Sequence, residues 1–112
     1  MDAIFVEMPP FERFRNDYLN DDSFQALQQK LLDNPLAGVE IPGTGGLRKL
    51  RFGDKRRGKG TRGGIRVIYY WYSRKGLFWL FTLFDKDEAS DLTSDQRKIL
   101  KEMLKSEIKA RK

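Results

Sequence analysis

Ile65-Arg66-Val67-Ile68-Tyr69-Tyr70-Trp71-Tyr72, then Ser73-Arg74-Lys75-Gly76, then Leu77-Phe78-Trp79-Leu80-Phe81-Thr82-Leu83-Phe84 is the stretch that decides the fold. The first run is rich in β-branched and aromatic residues, and the second is almost wholly apolar. Four turn-forming residues join them, so the pair reads as a β-hairpin. A strand that is apolar on both faces needs cover on both sides, which places Leu77 to Phe84 inside a sheet rather than at its edge.

Working outward, Leu47 to Phe52 alternates as a further strand. Leu47, Lys49 and Arg51 share one face, and Arg48, Leu50 and Phe52 the other. Ala3 to Glu7 reads as a short first strand, ended by Pro9-Pro10, which suit a helix start. Phe11, Phe14 and Tyr18 follow at helical spacing. A second helix opens at Asp22 or Ser23, carries Phe24, Leu27 and Leu31 on one face, and stops at Asn34-Pro35. Pro35 to Gly46 is turn-rich. Thr93-Ser94-Asp95-Gln96 has the pattern of a capping box, followed by an apolar stripe of Ile99, Leu100, Met103, Leu104 and Ile108. This last helix either packs on the sheet or projects toward a partner, and its pattern does not decide between them. The expectation is one α+β domain over residues 1–112. It has a small, mainly antiparallel sheet, an N-terminal helical hairpin on one face and a C-terminal helix, in the order β-α-α-β-β-β-α.

Charge is distributed very unevenly. Nine of the nineteen residues from Arg48 to Arg66 are Lys or Arg, against one acid, Asp54. The remaining 93 residues carry 13 basic and 15 acidic side chains and net −2, so the chain's +6 resides in this stretch. Eight of the ten glycines lie between Gly43 and Gly64. A basic segment on a bendable backbone suits a polyphosphate, while the plainer reading is a solvated loop. With no histidine and no cysteine, imidazole-based zinc sites, Ser-His-Asp triads, disulfides and thiolate chemistry are excluded. General acid–base work must fall to Asp, Glu, Lys, Tyr or a terminus. The acids Asp85, Asp87, Glu88 and Asp91 read as a helix-entry loop rather than a metal site, and no metal or cofactor is expected. No run approaches a membrane span, and Met1 to Ile4 has no signal-peptide character, which fits a cytoplasmic protein without a membrane partner.

Strand parity brings Lys49, Arg51 and Arg66 to one face if the strands pair as a hairpin. Arg48 and the loop residues Lys55, Arg56, Arg57, Lys59 and Arg62 would add backbone affinity. Tyr70, Tyr72 and Phe84 are candidates for stacking on bases, or else core. Such a face suits RNA cleavage by the internal 2′-hydroxyl, where the protein orients the nucleophile, removes its proton and stabilises a dianionic phosphorane. Spacing alone does not separate a catalyst from a binder.

Leu47 to Phe52, Gly64-Ile65-Arg66-Val67-Ile68-Tyr69-Tyr70 and Leu83-Phe84-Asp85-Lys86-Asp87-Glu88-Ala89-Ser90-Asp91-Leu92-Thr93 together resemble the RelE/ParE superfamily of type II toxin–antitoxin toxins. The Gly43-Thr44-Gly45-Gly46-Leu47-Arg48-Lys49 opening and the long basic loop are most similar to its HigB-like branch. The resemblance covers nearly the whole chain. It implies a RelE-like fold and a toxin that cuts mRNA in the ribosomal A site, with rRNA as a further contact and a cognate antitoxin, of helix-turn-helix type, that neutralises it. It assigns Lys49, Arg51 and Arg66 to 2′-hydroxyl activation and stabilisation of the scissile phosphate, and places Lys86 at a recurring position after the last strand. The family's arginine after that lysine is Asp87 here, and its nearby tyrosine falls near Thr93. The general acid is therefore open between Lys86, a loop Lys or Arg, and a relocated Tyr. Two other readings stand beside this one: a ParE-like gyrase inhibitor of the same fold, and a non-catalytic nucleic-acid-binding module.

Overall fold

The computed structural model describes residues 2–53, 64–86 and 91–111. Its elements are β1 (Ile4–Glu7), α1 (Pro9–Tyr18), α2 (Asp21–Asp33), β2 (Val39–Glu40), β3 (Arg48–Phe52), β4 (Ile65–Tyr72), β5 (Leu77–Asp85) and α3 (Ser94–Arg111). The expected α+β order holds, with one addition. β2, two residues long, lies in the stretch read as turns and pairs with β3 through Val39 and Glu40.

The five strands form one sheet in the order β1-β5-β4-β3-β2. β1 runs parallel to β5, and the other pairings are antiparallel. β5 is internal, as its two apolar faces require, and β4 is the middle strand. β1 ends because the Met8 amide makes its bond to Leu80 O at 2.8 Å. Pro9 and Pro10 then have no N–H to continue the ladder but suit a first helical turn. α2 begins earlier than the sequence suggests. Asn20 and Ser23 close a reciprocal capping box, with the Ser23 amide donating to Asn20 Oδ1 at 2.8 Å. At α3 the expected box forms: the Thr93 amide donates to Gln96 Oε1 at 2.8 Å, and the Gln96 amide to Thr93 Oγ1 at 3.1 Å.

Each sheet face is covered. Leu50, Val67, Tyr69, Phe78 and Leu80 meet Phe11, Leu27 and Leu31 of the helical hairpin. Leu47, Ile68, Tyr72, Trp79 and Phe81 meet Leu100 and Leu104 of α3. The last helix therefore packs on the sheet, opposite the hairpin. Complete burial of each of these large side chains contributes roughly 1.5–3 kcal/mol, so both layers are held by their apolar stripes. Among the described residues, no helix is long and apolar enough to cross a membrane.

One irregularity sets the geometry of the site. Ile68 faces Thr82 and Tyr69 faces Leu80, which leaves Phe81 as an extra residue in β5. This bulge resets the alternation, so Thr82 and Phe84 emerge on the same side as Trp79 and Phe81. Without it, Phe84 would point toward the hairpin.

Gly38 positions β2 against β3. Its φ is +81°, and a Cβ there would collide with the backbone carbonyl of Lys49. Gly43 has a similar φ of +76° but open space around it. Gly43→Ala should cost only the left-handed backbone penalty, roughly 1–2 kcal/mol. Gly38→Ala should cost clearly more in urea unfolding, because β2 must also move. Equal losses would show that the close approach at Gly38 carries no energy.

Candidate functional site

β3 and β4 place Arg51 directly opposite Arg66, and Lys49 opposite Ile68. β5 continues the first row with Phe84 beside Arg66 and the second with Thr82 beside Ile68. Lys49, Arg51 and Arg66 thus share the face that parity assigned them. The face is not fully open. Arg51 is exposed, Lys49 is half-buried, and Arg66 is only 4% exposed. Arg66 sits buried on the middle strand, and Arg51 across from it on β3 is exposed.

Like charges directly opposite on antiparallel strands destabilise one another. Burial, and secondly the charge of Arg51, push the Arg66 guanidinium below its ordinary pKa, yet an arginine stays charged at neutral pH. Arg66 Nη1 donates to its neighbour's carbonyl, Ile65 O, at 3.5 Å. A guanidinium presents a fork that pairs two N–H groups with a phosphate, and Arg51 keeps that fork in solvent.

Lys49 is held by Asp91. Its Nζ lies 3.3 Å from Asp91 Oδ1, and Arg97 Nη2 lies 3.3 Å from Oδ2. The Leu92 amide donates to Oδ1 at 2.8 Å. Burial alone would raise the pKa of Asp91, but the Leu92 amide, Lys49 and Arg97 outweigh it and hold the carboxyl below its usual value. Asp91, read from sequence as part of a helix-entry loop, is the ionic anchor of the site. It lies 42 residues from Lys49, and no local spacing signals the pair.

Other expected members are placed differently. Arg48 lies on the opposite face, toward the hairpin, where its Nη2 donates to Gly38 O at 3.0 Å and its Nε to Ala37 O at 3.4 Å. It secures the turn before β2 rather than joining the basic face. The Tyr69 hydroxyl donates to the same Ala37 carbonyl at 2.6 Å, and burial raises its pKa to about 12 despite Arg48 nearby. Tyr72 is 6% exposed and stacked on Trp79 at 4.8 Å between centroids, so it is core and offers no platform. Tyr70 is half-buried on the other end of Trp79, 5.6 Å away. Gly46 (φ +120°) leaves it room, since a Cβ there would come within 2.9 Å of its ring. Phe84 is half-buried beside Arg66 and lines a groove of about 400 Å³ with Pro10, Phe14, Thr82, Asp91 and Ile99. Lys86 is exposed just beyond β5, its amide donating to Gly64 O at 3.2 Å. Lys55, Arg56, Arg57, Lys59 and Arg62 lie outside the described residues. Among the described residues, no cluster of three or more carboxylates, histidines or cysteines could hold a metal ion.

Asp91→Asn should free Lys49 and Arg97 while changing stability little, by under about 1 kcal/mol, because Asp91 and Arg97 remain exposed to solvent that screens their charges. The sign follows from the lowered pKa. The stabilisation is present above the unfolded carboxyl value of about 3.9 and is lost as pH falls through the lower folded value. The gap between wild type and Asp91→Asn in urea titrations should therefore close in acid. A gap that persists unchanged at the acid end would show that Asp91 acts through packing instead.

No family model matches the sequence. Among solved structures, the chain is similar to the E. coli toxin RelE, determined in the free state as a variant with two arginines replaced by alanine. The TM-score is 0.52 at 15% sequence identity, over 80% of this chain and 90% of that one. At this identity the likeness concerns the fold alone: among the described residues, three helices on a five-stranded mixed sheet form a RelE-like α+β structure.

Proposed function

We propose that the protein is the toxin of a type II toxin–antitoxin module, a ribosome-dependent mRNA endonuclease of the HigB-like kind that acts in the cytoplasm. The observation that carries this reading is the cross-strand pair of Arg51 and Arg66 with Lys49 one register step away on a RelE-like sheet. RNA supplies its own nucleophile, so the protein needs cations around one phosphate and a group at the 2′-oxygen. In this reading Lys49, fixed by Asp91, addresses the 2′-hydroxyl. The 2′-oxygen loses its proton and attacks phosphorus, and Arg51 and Arg66 stabilise the added negative charge on the phosphorane oxygens. The bond to the 5′-oxygen then breaks, that oxygen takes up a proton, and a 2′,3′-cyclic phosphate remains. Lys86, exposed just beyond the end of β5, is the candidate donor. Phe84 beside Arg66 offers a ring edge to the neighbouring base, and Tyr70 a partly exposed one. The glycine-rich basic loop adds affinity for rRNA and mRNA backbone. A cognate antitoxin, of helix-turn-helix type, is the protein partner.

Arg66→Ala should lower the single-turnover cleavage rate on programmed ribosomes by on the order of 10²–10³, with a much smaller loss of ribosome affinity, because the phosphorane needs that fork more than the ground-state phosphate does. Unchanged cleavage at saturation would make Arg66 a backbone contact and leave a binding module. Growth arrest with DNA damage and intact mRNA would point to a gyrase inhibitor.

Cleavage in a preassembled ribosome complex should survive EDTA and leave a cyclic or 3′-phosphate end. A 3′-hydroxyl product would contradict attack by the 2′-oxygen.

A further inference from the structure

Arg97 lies outside the basic row of the sheet and is nevertheless tied to it. It stands on the first turn of α3, where its amide donates to Thr93 O at 3.0 Å and the Thr93–Gln96 box fixes the start of the helix. Further along, Leu100 and Leu104 are buried against the sheet. The backbone that carries Arg97 is therefore held at both ends.

Stability does not account for its side chain. Arg97 Nη2 meets Asp91 Oδ2 at 3.3 Å with both side chains 41% exposed, and an ion pair in that much water contributes little. Arg97 Nε, in contrast, is buried and has no acceptor among the described residues. An enclosed donor without a partner costs more than a screened ion pair gains. Such a group in a folded protein calls for a reason other than stability.

The reason lies at the other carboxylate oxygen. Lys49 carries a point charge on a flexible four-carbon stem. Its neighbour on the same face of β3 is Arg51, about 7 Å away, and Arg66 stands across the ladder from Arg51. Like charge on that side pushes the Lys49 ammonium away from the pair. Among the described residues its one acceptor is Asp91 Oδ1, at 3.3 Å. Where that oxygen points decides where Lys49 rests. The Leu92 amide donates to the same oxygen at 2.8 Å, but contacts at one oxygen leave the carboxylate free to swing about it. Arg97 takes the second oxygen, and the plane is then set.

We propose that Arg97 is a positioning residue, which acts through Asp91 to hold the Lys49 ammonium in one place beside Arg51 and Arg66. Its effect on cleavage rests on the proposed function, in which Lys49 addresses the 2′-hydroxyl; the linkage of Arg97, Asp91 and Lys49 does not. Misplacing a reacting group by about 1 Å can cost on the order of 10² in rate, so a contact that adds little stability still matters to catalysis.

The test compares Arg97→Met, which keeps the enclosed stem and a good helix former but removes the fork, with Arg97→Lys, which restores a charge. Circular dichroism and thermal melting check the fold, and Arg97→Met should melt no lower than wild type because the unpartnered donor is gone. In the free protein, ¹³C relaxation of the lysine ε-methylene groups, with Lys49 assigned from a Lys49→Gln variant, should show Lys49 ordered in wild type. In Arg97→Met it should become as mobile as exposed Lys98. Single-turnover cleavage on programmed ribosomes should slow by about tenfold to a hundredfold with ribosome affinity unchanged, and Arg97→Lys should recover part of the rate. In an Asp91→Asn background Arg97→Met should slow cleavage no further, since it acts through that carboxylate. Unchanged order at Lys49 overturns the proposal. So does a rate loss that persists in full in the Asp91→Asn background, or one that comes with a lower melting temperature, which would make the role structural. If wild type itself does not cleave, the endonuclease reading fails, and the mobility of Lys49 alone decides whether Arg97 positions it.

Discussion

Burial of the β4–β5 ladder on both faces is the constraint on which the molecule depends. A strand such as Leu77–Asp85, apolar toward both sides, cannot rest on one layer of helices. The hairpin α1–α2 covers one face and α3 the other, and each owes its position to that demand. Trp79, wholly buried, is the point where the second layer closes, with Tyr70 and Tyr72 stacked on it. A strand pair held this firmly can carry a destabilising feature, and it carries one: Arg66, a buried cation, facing Arg51.

That feature marks the candidate site. In water an arginine next to an arginine does little, because each is screened. With Arg66 buried the repulsion is less screened, while Arg51 beside it remains exposed. The Phe81 bulge adds the last piece by turning Phe84 onto the same face. Asp91 then balances the layout. It holds Lys49 and Arg97 through its two oxygens while leaving Arg51 without a carboxylate partner among the described residues. The acid orders the edge of the basic face without neutralising its centre.

α3 links the layers. One side of the helix buries Leu100 and Leu104, its first turn sends Arg97 to Asp91, and its outer side carries Lys98, Lys105 and Lys109 in solvent. A single 18-residue helix therefore closes the core, positions a site residue and presents charge to solvent. The three tasks are compatible because helical periodicity separates them by angle.

Much of this was legible in the chain, because local rules write it there. Period-two alternation placed Lys49 and Arg51 on one face of a strand and Arg66, Ile68 and Tyr70 on one face of the next. Proline pairs, the Thr93–Gln96 box and the apolar stripes gave the elements and their order. Alternation also showed Arg48 on the other face, yet its sequence position in a basic cluster outweighed that parity, and the Ala37 and Gly38 carbonyls that claim it come from a turn no pattern describes. Tyr72 reads as a surface or a core residue equally well until α3 is known to cover it. The depth of Arg66, the bulge at Phe81 and the 42-residue reach from Lys49 to Asp91 depend on how layers stack, which is a property of the whole chain. By itself the sequence determined the elements, their faces and the charge each carries, since these follow from residue periods of two and 3.6. Only the tertiary structure decided which faces meet, and so which cations are buried, which are anchored and which remain in water, because burial and ion pairing depend on neighbours remote in sequence.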